Sequence, residues 1–113
     1  MSLTFAQIKK GFLDSGYEIR FIPRHQLEGM ALDAPAEVKR HLDTNIMGLI
    51  MPDDYIIGIA KELDTDERAE TLLHEIIHLI RPEMAEDEVE ALTVEMSATL
   101  SPQQFGFLQF LAS

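Results

Sequence analysis

The apolar positions in the first third of the chain repeat with a helical period in one stretch and with a period of two in the next. Helical spacing follows Thr4, a good N-cap, and the first helix is expected to end at Gly16. Residues 17–22 then alternate between polar and apolar side chains, which predicts a strand. Residues 24–32 show no clear period and are expected to be irregular, and a short helix is predicted over residues 33–43.

Two short apolar runs in the middle of the chain predict a β-hairpin. They cover residues 45–51 and 55–60 and are separated by a Pro-Asp-Asp turn signal. Together with the strand over residues 17–22, they make a small sheet of about three strands. We expect the pairing in this sheet to be mainly antiparallel.

Two consecutive helices are predicted in the second half of the chain. The first begins at a capping box, with Asp64 as the cap and Glu67 three residues on, and it ends at Ile80. The second covers residues 83–96, where an apolar stripe is flanked by acidic side chains. These elements predict a single α+β domain over residues 1–113, in which the sheet packs on the first of these helices and on the acidic helix that follows it.

The composition and charge of the chain restrict its partners and its compartment. A net charge of −11 argues against nucleic acid and anionic membranes as partners, because both repel an acidic protein. The absence of cysteine excludes disulfides and thiolate zinc sites, and it fits a reducing compartment. The N-terminal residues lack the pattern of a signal peptide, and no apolar run is long enough to span a membrane. A cytoplasmic location is therefore expected.

The strongest functional signal is the pentad His74-Glu75-Ile76-Ile77-His78 inside the first of the two predicted helices. Residues four apart lie on one face of a helix, so the imidazoles of His74 and His78 can reach the same ion. Glu75 can then serve as the general base that activates a zinc-bound water. Without a metal, three polar side chains among so many apolar ones would be costly to desolvate. The pentad therefore predicts a Zn²⁺ site.

A catalytic zinc ion takes three protein ligands, so the pentad leaves one ligand to be found. His78 is the last histidine of the chain, and Arg81 and Met84 stand where a metzincin would have glycine and histidine. Of the two earlier histidines, His25 is left open as a ligand, and His41 is expected to face solvent on a short polar helix. The third ligand is therefore expected to be an acid from the helix after the pentad.

Two glutamates in that helix are the candidates for the third ligand. Glu86 and Glu88 flank the buried stripe on opposite sides, so either can point toward the histidines. Glu86 has Glu90 four residues on, on its own side of the helix, and Glu90 can accept a hydrogen bond from His74 and so fix that ring. Glu88 lacks such a partner. We therefore favour Glu86 as the ligand, with Glu90 in this supporting role, and keep Glu88 as the alternative.

The HEIIH pentad followed by an acid-rich helix resembles the gluzincin metallopeptidases, and the short chain with its order of elements is similar to the small minigluzincins and related phage proteins. The resemblance implies a zincin-like fold and a zinc-dependent peptidase that acts on peptide or protein substrates. It also implies that His74 and His78 are zinc ligands and that Glu75 is both base and acid. Because little of this sequence follows residue 100, where a full-size enzyme has a second subdomain, a zincin-fold metal-binding or regulatory module is kept as the alternative function.

Several residues outside the pentad are candidates for supporting roles. Tyr55 and Arg81 are the nearest side chains in the sequence that can stabilise an oxyanion, and one strand of the hairpin can pair with an extended peptide. Residues 101–113 form a strongly apolar tail, in which a further short helix can start at Ser101-Pro102. We expect this tail to pack on the core, and the alternative is self-association or self-inhibition through it.

Overall fold

The computed structural model describes residues 3–32 and 47–113, so the predicted helix over residues 33–43, with His41, lies outside the described residues. The described chain contains five helices and three strands. In chain order they are α1 (Phe5–Ser15), β1 (Glu18–Ile22), α2 (Arg24–Leu32), β2 (Gly48–Met51), β3 (Ile56–Ala60), α3 (Thr65–Ile80), α4 (Glu86–Thr99) and α5 (Pro102–Leu111).

The capping residues identified in the sequence mark the helix ends. The Thr4 hydroxyl accepts a hydrogen bond from the backbone N–H of Gln7 at the start of α1, and Gly16 ends that helix with a left-handed φ of 76°. At the start of α3, the Asp64 carboxylate accepts a hydrogen bond from the backbone N–H of Glu67 at 2.8 Å. The predictions for both helices are confirmed.

The three strands form one mixed sheet in the order β1-β3-β2. Strands β2 and β3 pair antiparallel as the predicted hairpin, with Gly48 opposite Ile59 and Met51 opposite Ile56. Strand β1 is parallel to β3, so the expectation of mainly antiparallel pairing holds for one of the two strand pairs. The α+β class and the three-stranded sheet are confirmed.

Helix α2 corrects the prediction of irregular structure over residues 24–32. It packs on one face of the sheet through Leu27, which is completely buried. Gly58 of β3 allows this close packing, because a Cβ atom there would lie 3.1 Å from side-chain atoms of both Leu27 and Ile22. Among the described side chains of α2, only Leu27 is so deeply buried. The sequence of this helix therefore shows no clear apolar stripe.

Helix α3 covers the opposite face of the sheet and contacts α1, α4 and α5 on its other sides. Its approach to α1 is close at Gly11, where an added Cβ atom would lie 2.5 Å from Cγ2 of Ile80. The helix is therefore surrounded by packed elements over most of its length. Its fully buried apolar side chains are Ala69, Leu72, Leu73, Ile76 and Ile77.

The apolar tail forms α5 and packs on the core, as expected. Leu108 is buried, and the ring of Phe107 meets the ring of Phe5 edge-on at 6.0 Å. The side-chain amide of Gln109 donates a hydrogen bond to Asp66 of α3 at 2.8 Å. Over the part of the chain that is described, no helix is long and apolar enough to cross a lipid bilayer.

Candidate metal centre

Three side chains from α3 and α4 converge on one point. His74 Nε2 lies 2.8 Å from one carboxylate oxygen of Glu86, and His78 Nε2 lies 2.7 Å from the other. The two Nε2 atoms are 3.2 Å apart. The three ligand atoms available to a metal ion all lie within 4.8 Å of one another. Two imidazoles and a carboxylate are a donor set that suits a catalytic zinc ion.

The turn between α3 and α4 brings Glu86 to the histidines. Helix α3 stops at Arg81, whose φ of −132° leaves the helical region, and the N–H of Met84 donates to the carbonyl oxygen of Arg81 at 3.1 Å. Helix α4 then begins at Glu86, which is its first residue. The Glu88 carboxylate accepts a hydrogen bond from the N–H of Ala85 at 3.2 Å and so closes the first turn of α4. The chain therefore reverses within a few residues.

The structure separates the two candidates for the third ligand. Glu86 contacts both histidines, whereas the Glu88 carboxylate turns back to cap its own helix. Glu90 is exposed, and within residues 3–32 and 47–113 no hydrogen bond of its side chain is found, so its role in fixing the His74 ring stays a prediction. The structure thus brings Glu86, and not Glu88, to the two histidines.

The centre is buried on one side and open on the other. The side chain of His78 is 4% exposed, whereas His74 and Glu86 keep 19% and 25% of their side-chain surface in solvent. A small molecule can therefore approach the group from the side of His74 and Glu86, while the apolar body of α3 closes the side of His78. Such one-sided access is what a catalytic metal site requires, since one coordination position must stay available.

Glu75 lies beside the cluster and is almost wholly buried. Burial raises the pKa of its carboxyl to about 8, and the negative charge of Glu86 adds to the effect. In the metal-free chain Glu75 therefore holds its proton at neutral pH. A cation bound at the centre acts in the opposite direction, because a nearby positive charge favours the carboxylate form. The protonation of Glu75 therefore depends on the charge held at the centre.

Strand β2 contributes a contact to the site that the sequence analysis missed. Its first residue, Gly48, lies directly against α3, where a Cβ atom would be 2.8 Å from Cγ2 of Thr71 and 3.0 Å from Cγ of Glu75. A glycine inside a strand pattern is the sequence signal for such a close approach. The contact itself joins residues more than twenty positions apart, so the signal alone does not identify the partner.

The other sequence candidates lie away from the centre or turn elsewhere. Tyr55 lies in the hairpin turn, at the opposite end of β2 from Gly48 and about 10 Å along the strand, and its ring meets Tyr17 at 5.4 Å. The Arg81 guanidinium donates to the carbonyl oxygen of Ile80. His25 belongs to α2, on the other face of the sheet. The structure therefore does not bring Tyr55 or His25 to the cluster.

Comparison of the chain with models of protein families, with curated proteins and with solved structures gave no match. The geometry of the cluster and the chemistry of its residues therefore carry the functional argument.

Proposed function

We propose that this chain is a zinc-dependent peptidase of the gluzincin kind, in which His74, His78 and Glu86 hold the ion and Glu75 is the general base. The observation that carries the proposal is the meeting of two imidazole Nε2 atoms and a carboxylate within 4.8 Å. The acidic residue that completes this set comes from the helix after the pentad, as in the family that the sequence resembles.

The role of each residue in this proposal follows from the position of its side chain. A zinc ion in such a donor set supplies a water molecule of lowered pKa and a Lewis acid for a carbonyl group. Glu75 accepts the proton of the attacking water and delivers it to the leaving amine, a role open to a buried carboxyl beside the ion. The Nε2 atoms of His74 and His78 already lie 2.8 and 2.7 Å from the carboxylate oxygens of Glu86, so the three groups would face a bound ion together.

The neighbouring strand favours an extended peptide as substrate. Strand β2 lies at an edge of the described sheet, and its first residue contacts the general base. A peptide that adds to this edge makes main-chain hydrogen bonds with β2 and passes close to Glu75. The substrate class in this proposal is therefore a peptide or an unfolded protein segment, and the acidic, cysteine-free chain fits a cytoplasmic enzyme.

The proposal is tested by incubating the zinc-loaded protein with a mixture of unstructured peptides and following cleavage by mass spectrometry. We expect cleavage by the wild type and a loss of at least about a hundredfold in Glu75→Gln, because general acid–base catalysis contributes that much. Equal cleavage by the two proteins would show that a contaminating peptidase is responsible and would contradict the assigned role of Glu75.

A second candidate function is a metal-binding module that regulates a partner without cleaving it. One observation favours it: after α4 the chain forms α5, which packs on α3 and against Phe5, and no second lobe faces the cluster within the described residues. The two functions differ in what Glu75 is needed for. In a module that only binds zinc, Glu75→Gln leaves the zinc affinity and the binding of the partner unchanged.

A further inference from the structure

We infer that Gly48 is the residue that positions Glu75, because the absence of a side chain on β2 leaves the space that the glutamate side chain occupies. This inference rests on the proposed zinc site and on the proposed role of Glu75. It adds a residue from the sheet to a site whose other members all come from α3 and α4.

The contact at Gly48 is steric and does not depend on an unusual backbone conformation. Gly48 lies in a regular strand, paired with Ile59, and its φ is not in the left-handed region that favours glycine. A Cβ atom at this position would lie 2.8 Å from Cγ2 of Thr71, 3.0 Å from Cγ of Glu75 and 3.2 Å from its Oε1. A separation under 3.0 Å, such as that to Thr71, essentially never occurs for a real Cβ atom, and the separations of 3.0 and 3.2 Å to Glu75 require its side chain to shift by a few tenths of an ångström.

Of the groups at this contact, the side chain of Glu75 is the one able to move. Strand β2 is held by its ladder with β3 and by the hydrogen bond from the N–H of Ala60 to the carbonyl oxygen of Met47 at 2.8 Å. Thr71 is buried and β-branched, so its χ1 is restricted within the helix. Glu75 has more rotatable bonds, and its carboxylate lies beside the space that a new methyl group would fill. A larger residue at position 48 therefore shifts the side chain of Glu75, in addition to the adjustment that the contact with Thr71 requires.

The metal ligands are not part of this contact. The three atoms nearest to the added Cβ belong to Thr71 and Glu75, and none belongs to a histidine or to Glu86. Gly48→Ala should therefore move the base and leave the zinc ligands in place. This separation makes the inference testable without any assay of peptidase activity.

Gly58 provides the matched control. It lies on the neighbouring strand β3, opposite Leu49, and points toward α2 on the other face of the sheet. A Cβ atom there meets the ends of flexible side chains, those of Ile22, Leu27 and Met51, at 3.1 to 3.2 Å. Gly58→Ala thus adds the same methyl group to the same sheet, at a comparable cost in packing, but away from Glu75.

The experiment measures two affinities for each protein: that for zinc, and that of the zinc-loaded protein for acetohydroxamate. Acetohydroxamate binds zinc through its two oxygens, and a neighbouring carboxylate strengthens the complex by accepting its hydroxyl proton. We expect Gly48→Ala to bind zinc within about twofold of the wild type, yet to bind acetohydroxamate about tenfold more weakly, the loss of one charge-assisted hydrogen bond. Glu75→Gln should show the same loss, and Gly58→Ala should match the wild type.

Each other outcome has a distinct meaning. Unchanged acetohydroxamate affinity in Gly48→Ala, with a loss in Glu75→Gln, overturns the positioning role and leaves the proposed function intact. No loss in Glu75→Gln, or no zinc binding by the wild type, overturns the proposed function together with this inference. Loss of zinc from Gly48→Ala, but not from Gly58→Ala, overturns the inference in another way, because Gly48 would then support the whole centre.

A second variant covers the case in which Gly48→Ala does not fold. In the double variant Gly48→Ala, Thr71→Ser the nearest contact, that with Cγ2 of Thr71, is removed, and both contacts with Glu75 are kept. We expect this protein to fold and still to bind acetohydroxamate about tenfold more weakly. Full recovery of the wild-type affinity would show that the contact with Thr71, and not the one with Glu75, is what matters, and would overturn the inference.

Discussion

Helices α2 and α3 lie on opposite faces of the same sheet, but they are held in different ways. Helix α3 carries its own capping box at Asp64 and buries apolar side chains against the sheet and three other helices. Helix α2 packs through Leu27, and its first N–H is capped by the Glu62 carboxylate, which lies 38 residues away in the chain, at 3.0 Å. Most residues of the proposed site therefore lie on α3, the helix whose start is set by a capping box in its own sequence and which packs against the core on several sides.

The largest expected effect comes from deleting one buried leucine on each side of the sheet. Leu73 of α3 and Leu27 of α2 are both completely buried. We expect Leu73→Ala to lower the free energy of unfolding by about 4 kcal/mol and Leu27→Ala by about 2–3 kcal/mol, because a site under one short helix collapses more easily around the cavity. Urea unfolding of the metal-free proteins, followed by circular dichroism, measures both values.

The zinc affinities of the same two variants show which of the two helices supports the metal centre. The folded fraction of Leu27→Ala should keep the zinc affinity of the wild type, since α2 lies on the face of the sheet opposite to α3. Leu73→Ala should bind zinc more weakly. Equal losses of zinc affinity in the two variants would show that the α2 side supports the centre as much as α3 does.

A further effect is expected from the buried carboxyl of Glu75. Its pKa in the folded metal-free protein is raised from the ordinary 4.5 to about 8, so the folded state holds a proton that the unfolded state releases. This contribution to stability is present in full below pH 4.5 and is lost as the pH rises to about 8, with a total of a few kcal/mol. Above that range it no longer changes.

Chemical denaturation of the metal-free protein across this pH range measures the effect, and Glu75→Gln is the control. The variant should lose most of the decrease in stability between pH 4.5 and 8. A wild type and a variant with parallel pH profiles would mean that Glu75 is ionised in the folded protein, which contradicts its burial beside Glu86.

The smallest effects concern the two helix caps. Asp64→Ala removes the local cap of α3 and should lower the free energy of unfolding by about 1 kcal/mol, as measured by urea unfolding.

Glu62→Ala removes the distant cap of α2 and should increase amide hydrogen exchange in the first turn of that helix, with zinc affinity unchanged. The N–H of Arg24 keeps the pKa of the Glu62 carboxyl below its usual range, so this cap is present at neutral pH and is lost as the pH falls through the lowered pKa. Faster amide hydrogen exchange throughout α3 in Glu62→Ala would contradict the view that α2 and α3 are held independently of each other.

The contrast between the two helices also explains what the sequence can predict. The signals for α3 are local: Asp64 and Glu67 are three residues apart, and His74 and His78 are four apart. The start of this helix and the position of both histidines on one of its faces can therefore be predicted from one short stretch of sequence. Glu86 follows closely enough that helix geometry reduces the candidates for the third ligand to two residues, and of these two the structure brings Glu86 to the histidines.

The features that were missed depend on contacts between distant parts of the chain. Helix α2 is specified by the cap from Glu62 and by the space over Gly58, and neither is visible in the sequence of residues 24–32. The parallel pairing of β1 with β3 follows from the path between them and not from the alternating pattern of β1. The contact of Gly48 with Glu75 likewise exists only once β2 has docked on α3.

The most direct test of the central claim is the zinc content of gently purified protein, measured for the wild type and for the matched variants Glu86→Ala and Glu88→Ala. We expect about one zinc ion per chain in the wild type, the same content in Glu88→Ala, and almost none in Glu86→Ala, because a catalytic site needs three protein ligands. A wild type that takes up no zinc even from excess metal would contradict the account, as would a Glu86→Ala protein that keeps its zinc.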